Sequence, residues 1–281
     1  MYLFKQKNEL KTYLAQLKSE GKKIGFVPTM GALHDGHLSL IREARKACDI
    51  VVCSIFVNPT QFNDPKDFEK YPITINEDII KLESVDTDVL FLPSVSEMYP
   101  AGIHAQHPHY DFGQLENMLE GAYRPNHFQG VGIIVHKLLQ AVEPDALFMG
   151  QKDFQQCMIV KKLLEITNTP TDLVIVPTRR EDSGLAMSSR NMRLTAEEKS
   201  LAVTIFQVLS TIKQHLKQQP ISELISTASS TLQHAGFQLD YVAVCNADNL
   251  APVTEYTGEK LVALVAAKLG EIRLIDNMLL N

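Results

Sequence analysis

The chain carries two hydrophobic rhythms. In its first part, short uninterrupted apolar runs recur at residues 24–27, 50–57, 89–92, 146–149 and 173–176. Runs of that length without polar alternation suit strands buried on both faces. Between them lie segments 38–47, 76–82, 131–142 and 154–166, with apolar residues three and four apart, the period of an amphipathic helix. Strand and helix alternating in this way predict an α/β fold, a Rossmann-like, doubly wound parallel sheet with helices on both faces. Ligands bind such sheets beyond the carboxyl ends of the strands. The residues that follow each strand are therefore the ones to search.

After the polar stretch 179–193 the rhythm changes. Thr195 followed by Glu198 is a capping box, and Leu201, Ile205, Val208, Leu209 and Ile212 continue one helical face. A second helix is expected from a Ser222 cap to Gly236, then strand-like runs at 239–245 and 261–267 and a last segment at 271–279. This predicts a smaller C-terminal α+β domain. The boundary is placed at residue 182, giving a Rossmann-like domain over 1–182 and a lid-like domain over 183–281.

Composition narrows the partners. At 281 residues the chain can bury a sizeable core, and 45% hydrophobic with 21% charged residues is ordinary for a soluble globular protein. A formal net charge of -6 offers no basic surface to nucleic acid or anionic membrane. An anionic substrate would need a local cationic pocket set against that charge. No run approaches the roughly 18 apolar residues of a membrane span, and MYLFKQKNELKTYL lacks a signal peptide's apolar region. Small-molecule partners and a cytoplasmic location are expected. Cys48, Cys53, Cys157 and Cys245 form no CxxC pair and read as small buried hydrophobes.

Chemistry concentrates where strands end. The run GFVPTMGALHDGH brings the first buried strand to a stop at Pro28 and opens a helix at His34-Asp-Gly-His37. A helix N-terminus has unpaired N–H groups and about half a positive charge, a natural phosphate site. Imidazoles three apart share a helical face and can donate to phosphate oxygens that gain charge in a transition state. A pair of packing and capping histidines is the plain alternative. A zinc site is the other, thinly supported without a further ligand nearby.

The next strand ends in Asn58-Pro-Thr-Gln61, neutral amides suited to hydroxyl and carboxylate groups. The strand at 146–149 ends in Gly150-Gln-Lys-Asp153. There Lys152 can clamp a phosphate and Asp153 can cap a helix or bond a ribose hydroxyl. The last parallel strand leads into the polar loop containing Gly184-Leu-Ala-Met-Ser-Ser-Arg190, read as a hinged lid or a solvated linker. Arg124 and His127 precede a further helix. His104, His107 and His109 cluster in a proline-containing stretch and read as incidental.

Five motifs in order, PTMGALHDGH, NPTQF, YRPNHFQGV, GQKDFQQ and GLAMSSRN, resemble the pantothenate synthetase (pantoate–β-alanine ligase) family across nearly the whole chain. The resemblance implies a fold of the class I nucleotidyltransferase type, with HDGH in place of the HIGH-type motif and MSSR in place of the KMSKS-type loop. It implies ATP-dependent condensation of pantoate with β-alanine through pantoyl adenylate, releasing pyrophosphate and AMP. His34, His37 and Lys152 would be catalytic, holding the phosphates, with His37 the proton donor. The ATP site would comprise Met30, Gly31, Ala32, Leu33, His34, Asp35, Gly36, His37, Gly150, Gln151, Lys152, Asp153, Arg179, Met187, Ser188, Ser189 and Arg190. Pantoate would be held by Gln61 and Gln156, with Asn58, Arg124 and His127 as secondary contacts, and β-alanine by Gln61.

Mg2+ is expected with ATP, and Asp78 aligns with an acidic family position; Lys81 stands where the family can have an amide. Arg179 departs from the small apolar residue of many relatives. A homodimer is likewise implied. Two other readings compete: a nucleotidylyltransferase without an amine partner, and a nucleotide sensor without turnover. The neutral amides Asn58, Gln61 and Gln156 favour a small hydroxy acid over a phosphorylated substrate. A sensor would not need both the HDGH pair and the MSSR loop.

Overall fold

The computed structural model describes residues 1–62, 68, 69 and 71–281. The chain forms two compact units, Met1–Gly150 with Ile159–Pro177, and Gln151–Met158 with Thr178–Asn281. The crossover at Pro177 falls a few residues before the expected boundary at 182. Residues 151–158, expected in the first domain, belong to the second unit.

In the first unit six parallel strands run β1 (Tyr2–Phe4), β2 (Ile24–Thr29), β3 (Ile50–Ile55), β4 (Val89–Phe91), β5 (Ala146–Gly150) and β6 (Asp172–Val176), in the spatial order β1-β4-β3-β2-β5-β6. The order reverses between β2 and β5, the switch point at which such sheets open a crevice beyond their carboxyl ends. Strand register places Val27 beside Cys53, and both face α2 (Asp35–Ala47) in a buried cluster with Ile41, Val51, Leu90 and Phe148. The alternating positions Phe26, Val52 and Leu147 turn to the other face. Two buried faces explain why these strands read as continuous apolar runs.

Two differences from expectation have physical causes. β2 continues through Pro28 to Thr29. Its pairing with β5 covers only Gly25 and Phe26, so Pro28 sits where β2 has one neighbour, β3, and proline's missing donor is tolerated there. β1 and α1 (Lys7–Ser19) were not anticipated. β1 is an edge strand of three residues with Tyr2 and Leu3 exposed, so it lacks the apolar run of the central strands. α1 buries only Leu10 and Leu14.

Among the described residues this unit also holds α3 (Ile75–Glu83), the single turns α4 (Val95–Met98) and α5 (Glu120–Tyr123), α6 (His127–Val142) and the greater part of α7 (Phe154–Thr167).

In the second unit α8 (Ala196–His215) and α9 (Ile221–His234) pack with an antiparallel sheet of β7 (Gln238–Asn246), β8 (Leu261–Leu269) and β9 (Ile272–Leu279). Leu209, Ile212, Leu224, Leu232, Val265 and Ala267 are buried together in its core. The Thr195–Glu198 capping box forms as expected, with Glu198 N donating to Thr195 Oγ1 at 3.1 Å and Thr195 N to Glu198 Oε2 at 2.8 Å. Ser222 is not a cap. α9 starts one residue earlier behind Pro220, which supplies no side-chain acceptor.

Candidate active site

The turn after β2 is built by backbone strain and side-chain anchoring. Gly31 (φ 82°) and Ala32 (φ 49°) are both left-handed, a region that disfavours alanine. The fully buried Asp78 of α3 holds them, taking Ala32 N on Oδ2 at 2.9 Å and Leu33 N on Oδ1 at 2.7 Å. Lys81, one turn along α3, donates to Leu33 O at 2.6 Å.

His34 and His37 then cap α2 reciprocally. His34 Nδ1 accepts from Gly36 N at 3.1 Å, and His37 Nδ1 accepts from His34 N at 3.3 Å. Their rings lie 4.1 Å apart. Because Nδ1 is an acceptor in each, the neutral imidazole carries its hydrogen on Nε2. The capping reading is borne out, with Nδ1 of each ring as the capping atom. His34, Gly36 and His37 are half-buried, and Asp35 is exposed.

After β3, Asn58 organises the next turn. It is 1% exposed. Its Oδ1 accepts from Tyr99 OH at 2.7 Å and Thr60 Oγ1 at 3.1 Å, and its Nδ2 donates to Gln61 Oε1 at 3.1 Å and Gly130 O at 3.3 Å. With Gln61 Oε1 engaged, Gln61 Nε2 is turned toward Met30 Sδ, 3.1 Å away. His127 Nδ1 donates to Gln61 O at 2.8 Å. Asn58 and His127, placed as pantoate contacts by resemblance, are occupied in holding Gln61. α6 reaches this turn because Gly130 has no side chain: a Cβ there would lie 2.4 Å from Thr60 O. Arg124 is half-buried, just before α6.

In the second unit the residues after β5 form a short 3-10 turn, Gln151–Asp153. Asn277 of β9 fastens it. Asn277 Nδ2 donates to Gln151 O at 2.8 Å and Lys152 O at 2.9 Å, and Gln151 Nε2 donates to Asn277 Oδ1 at 3.1 Å. These bonds are the physical reason this turn groups with the second unit. Lys152 Nζ lies 4.0 Å from Asp153 Oδ1, and Gln156 is half-buried.

The neighbouring residue Asp276 pairs with Arg180 through two bonds of 2.5 and 3.0 Å. Burial pushes the Asp276 carboxyl up, with the guanidinium opposing. Arg180 also stacks on Phe206 and donates to Gly184 O at 3.1 Å. The loop closes on itself as Met187 N donates to Arg179 O at 3.0 Å and Ser188 Oγ accepts from Arg190 N at 3.3 Å. Ser189 and Arg190 begin a 3-10 turn, and Arg179 is exposed.

Tyr99, Arg180, Asp276 and Asn277 do not stand out in the sequence, and Lys81 does so only as standing where the family can have an amide. Only Arg180 sat within a motif-bearing stretch; the others act on residues distant along the chain. The resemblance implies a metal-holding role for Asp78. With both oxygens bonded to main-chain N–H groups and no exposed surface, its geometry does not fit that part. Among the described residues no group of three or more His, Cys, Asp or Glu side chains is placed to hold a metal. All four cysteines are free and buried, as expected from their apolar settings. His107 packs edge-on against Tyr99 with ring centroids 5.3 Å apart.

A family model described as pantoate-beta-alanine ligase matches residues 2–279. A pantothenate synthetase from Cytophaga hutchinsonii is 42% identical, covering 97% of this chain and 96% of that protein. The crystal structure of a pantothenate synthetase from Thermus thermophilus aligns with a TM-score of 0.92 at 35% identity, covering 100% of this chain and 99% of that one. That of a pantoate-beta-alanine ligase from Francisella tularensis, complexed with beta-gamma ATP and beta-alanine, aligns at 0.81 and 38% identity, covering 100% and 98%. The motifs, the parallel sheet with its separate antiparallel unit and these likenesses agree, and the chain belongs to the pantoate–β-alanine ligase family.

Proposed function

We propose that this ligase joins pantoate to β-alanine in two steps through an enzyme-bound pantoyl adenylate. In the first, a pantoate carboxylate oxygen bonds to the α-phosphorus of ATP, and the bond to the bridging oxygen breaks, releasing pyrophosphate. In the second, the β-alanine amine bonds to the acyl carbon and loses a proton to solvent, the acyl carbon–oxygen bond to the phosphate breaks and AMP leaves with the electron pair. Both nucleophiles come with the substrates. The protein's task is to align them and to absorb negative charge as it accumulates on the phosphates.

The observation that carries this reading is the reciprocal His34–His37 cap. It holds two imidazoles side by side at a helix N-terminus with Nε2 as the hydrogen-bearing nitrogen. Such donors match phosphate oxygens that gain charge. Lys152 supplies a further cation, and residues 30–37, 150–153 and 187–190 form the ATP contacts, with Arg179 an exposed member. Gln61, its Oε1 held by Asn58, presents N–H to an oxygen of pantoate, and Gln156 is its partner for that substrate. Gln61 also borders β-alanine. Asn58 and His127 act by fixing Gln61, and Arg124 is a secondary contact.

Mg2+ would accompany the nucleotide and supply positive charge against its phosphates. A homodimer in the cytoplasm is the working assembly. Residues 179–190 serve as the lid.

Pyrophosphate exchange tests the intermediate. With pantoate present and β-alanine absent, labelled pyrophosphate should enter ATP. Exchange that requires β-alanine would mean that no adenylate precedes the amine.

A further inference from the structure

We infer that Asp78 and Lys81 form a clamp that positions the ATP-binding turn, and that Asp78 is not a magnesium ligand. The inference rests on the reading of residues 30–37 as that turn. Asp78 and Lys81 stand three apart on α3, hence on one face. Between them they hold both polar ends of a single residue, Leu33: its N–H on Asp78 Oδ1 at 2.7 Å and its carbonyl on Lys81 Nζ at 2.6 Å.

Asp78 Oδ2 is also engaged, accepting from Ala32 N at 2.9 Å and from Thr74 Oγ1 at 3.2 Å. A carboxylate with no exposed surface is tolerable only with such partners. A magnesium ion would need an oxygen at about 2.1 Å, and this carboxylate, 0% exposed, opens no surface to one. Glu77, the neighbouring acid, is exposed.

The clamp has a reason to exist. Gly31 and Ala32 adopt left-handed backbone in succession, which persists only where surroundings fix it. There is also no room to relax: a Cβ on Gly31 would stand 3.1 Å from Asp78 Oδ2 and 3.0 Å from Ile55 Cγ2. The next residue is His34, whose main chain and ring begin α2. Fixing Leu33 therefore fixes where the helix N-terminus and both imidazoles point. Asp78 and Lys81 are positioning residues; they act through the main chain of the turn.

The test uses the full chain with Asp78→Asn and Lys81→Met, their folding checked by circular dichroism. ATP binding is measured by calorimetry without pantoate, once in EDTA and once in magnesium. Asparagine offers one acceptor oxygen where the turn presents two amides. Asp78→Asn should weaken ATP binding about tenfold, and Lys81→Met about threefold, by the same factor in both buffers. Amide exchange at residues 32–34 should quicken in both variants.

A loss confined to the magnesium buffer would make Asp78 a ligand and overturn the inference. So would wild-type binding by both variants. If Asp78→Asn does not fold, Asp78→Glu takes its place in the two-buffer comparison, and Lys81→Met, which leaves the carboxylate intact, decides the clamp by whether ATP binding weakens. Quickened exchange with unchanged ATP binding would overturn the role while keeping the contacts. A His34→Ala control that also binds ATP normally would show that the assignment of the nucleotide site had failed instead.

Discussion

The tautomer of two imidazoles is set by main-chain amides. Gly36 N and His34 N each occupy an Nδ1, which puts the hydrogen of each neutral ring on Nε2. His37→Ala should therefore lower kcat by about 10²-fold or more with a smaller change in the ATP KM, because a donor to developing charge acts mainly in the transition state. Steady-state kinetics at saturating pantoate and β-alanine would check it, and an unchanged kcat would remove His37 from the reaction. The HDGH pair was legible from sequence because a strand end, a glycine and two imidazoles fall within a dozen residues. Its tautomer was not, since that depends on which amide meets which nitrogen. The same limit hid Tyr99, a lone aromatic forty-one positions from Asn58 along the chain.

At the scale of elements, the central strands and long helices announced themselves by period, and the departures came where packing is one-sided. β1 exposes Tyr2 and Leu3 at the sheet edge, and α9 takes Pro220 as its boundary in place of a hydroxyl cap. The strand least informative in sequence is the most consequential for the lysine turn. β9 puts Asp276 and Asn277 side by side, and one holds Arg180 while the other holds Gln151 and Lys152. Asn277→Ala should raise the ATP KM about tenfold with far-ultraviolet dichroism unchanged, since it orphans two turn carbonyls. Asn277→Asp should fail similarly, because a carboxylate cannot donate to carbonyls. A wild-type KM in Asn277→Ala would show that the turn holds itself. A single boundary at 182, where the hydrophobic rhythm changes, puts residues 151–158 in the first domain. Hydrogen bonds to a residue more than a hundred positions later reassign them.

For the molecule as a whole, the cysteines report on integrity. Burial pushes Cys53 up to about 12 and Cys245 up to about 11, and Cys48 and Cys157 rise for the same reason. A raised thiol holds its proton through pH 8, so little thiolate exists to react. A thiol reagent at pH 8 should modify none of the four in the native protein and all four in denaturant. Rapid labelling of a folded sample would contradict the burial.

The chain passes from one unit to the other after Gly150, after Met158 and after Pro177. No single cut can liberate the first unit intact. A fragment ending at Pro177 keeps His34, His37 and Gln61, yet its Lys152 loses the asparagine that secures it. Engineers seeking a minimal nucleotide-binding piece must retain the last strand or graft a replacement for it. The far end of the polypeptide thereby holds a veto over chemistry written in its middle.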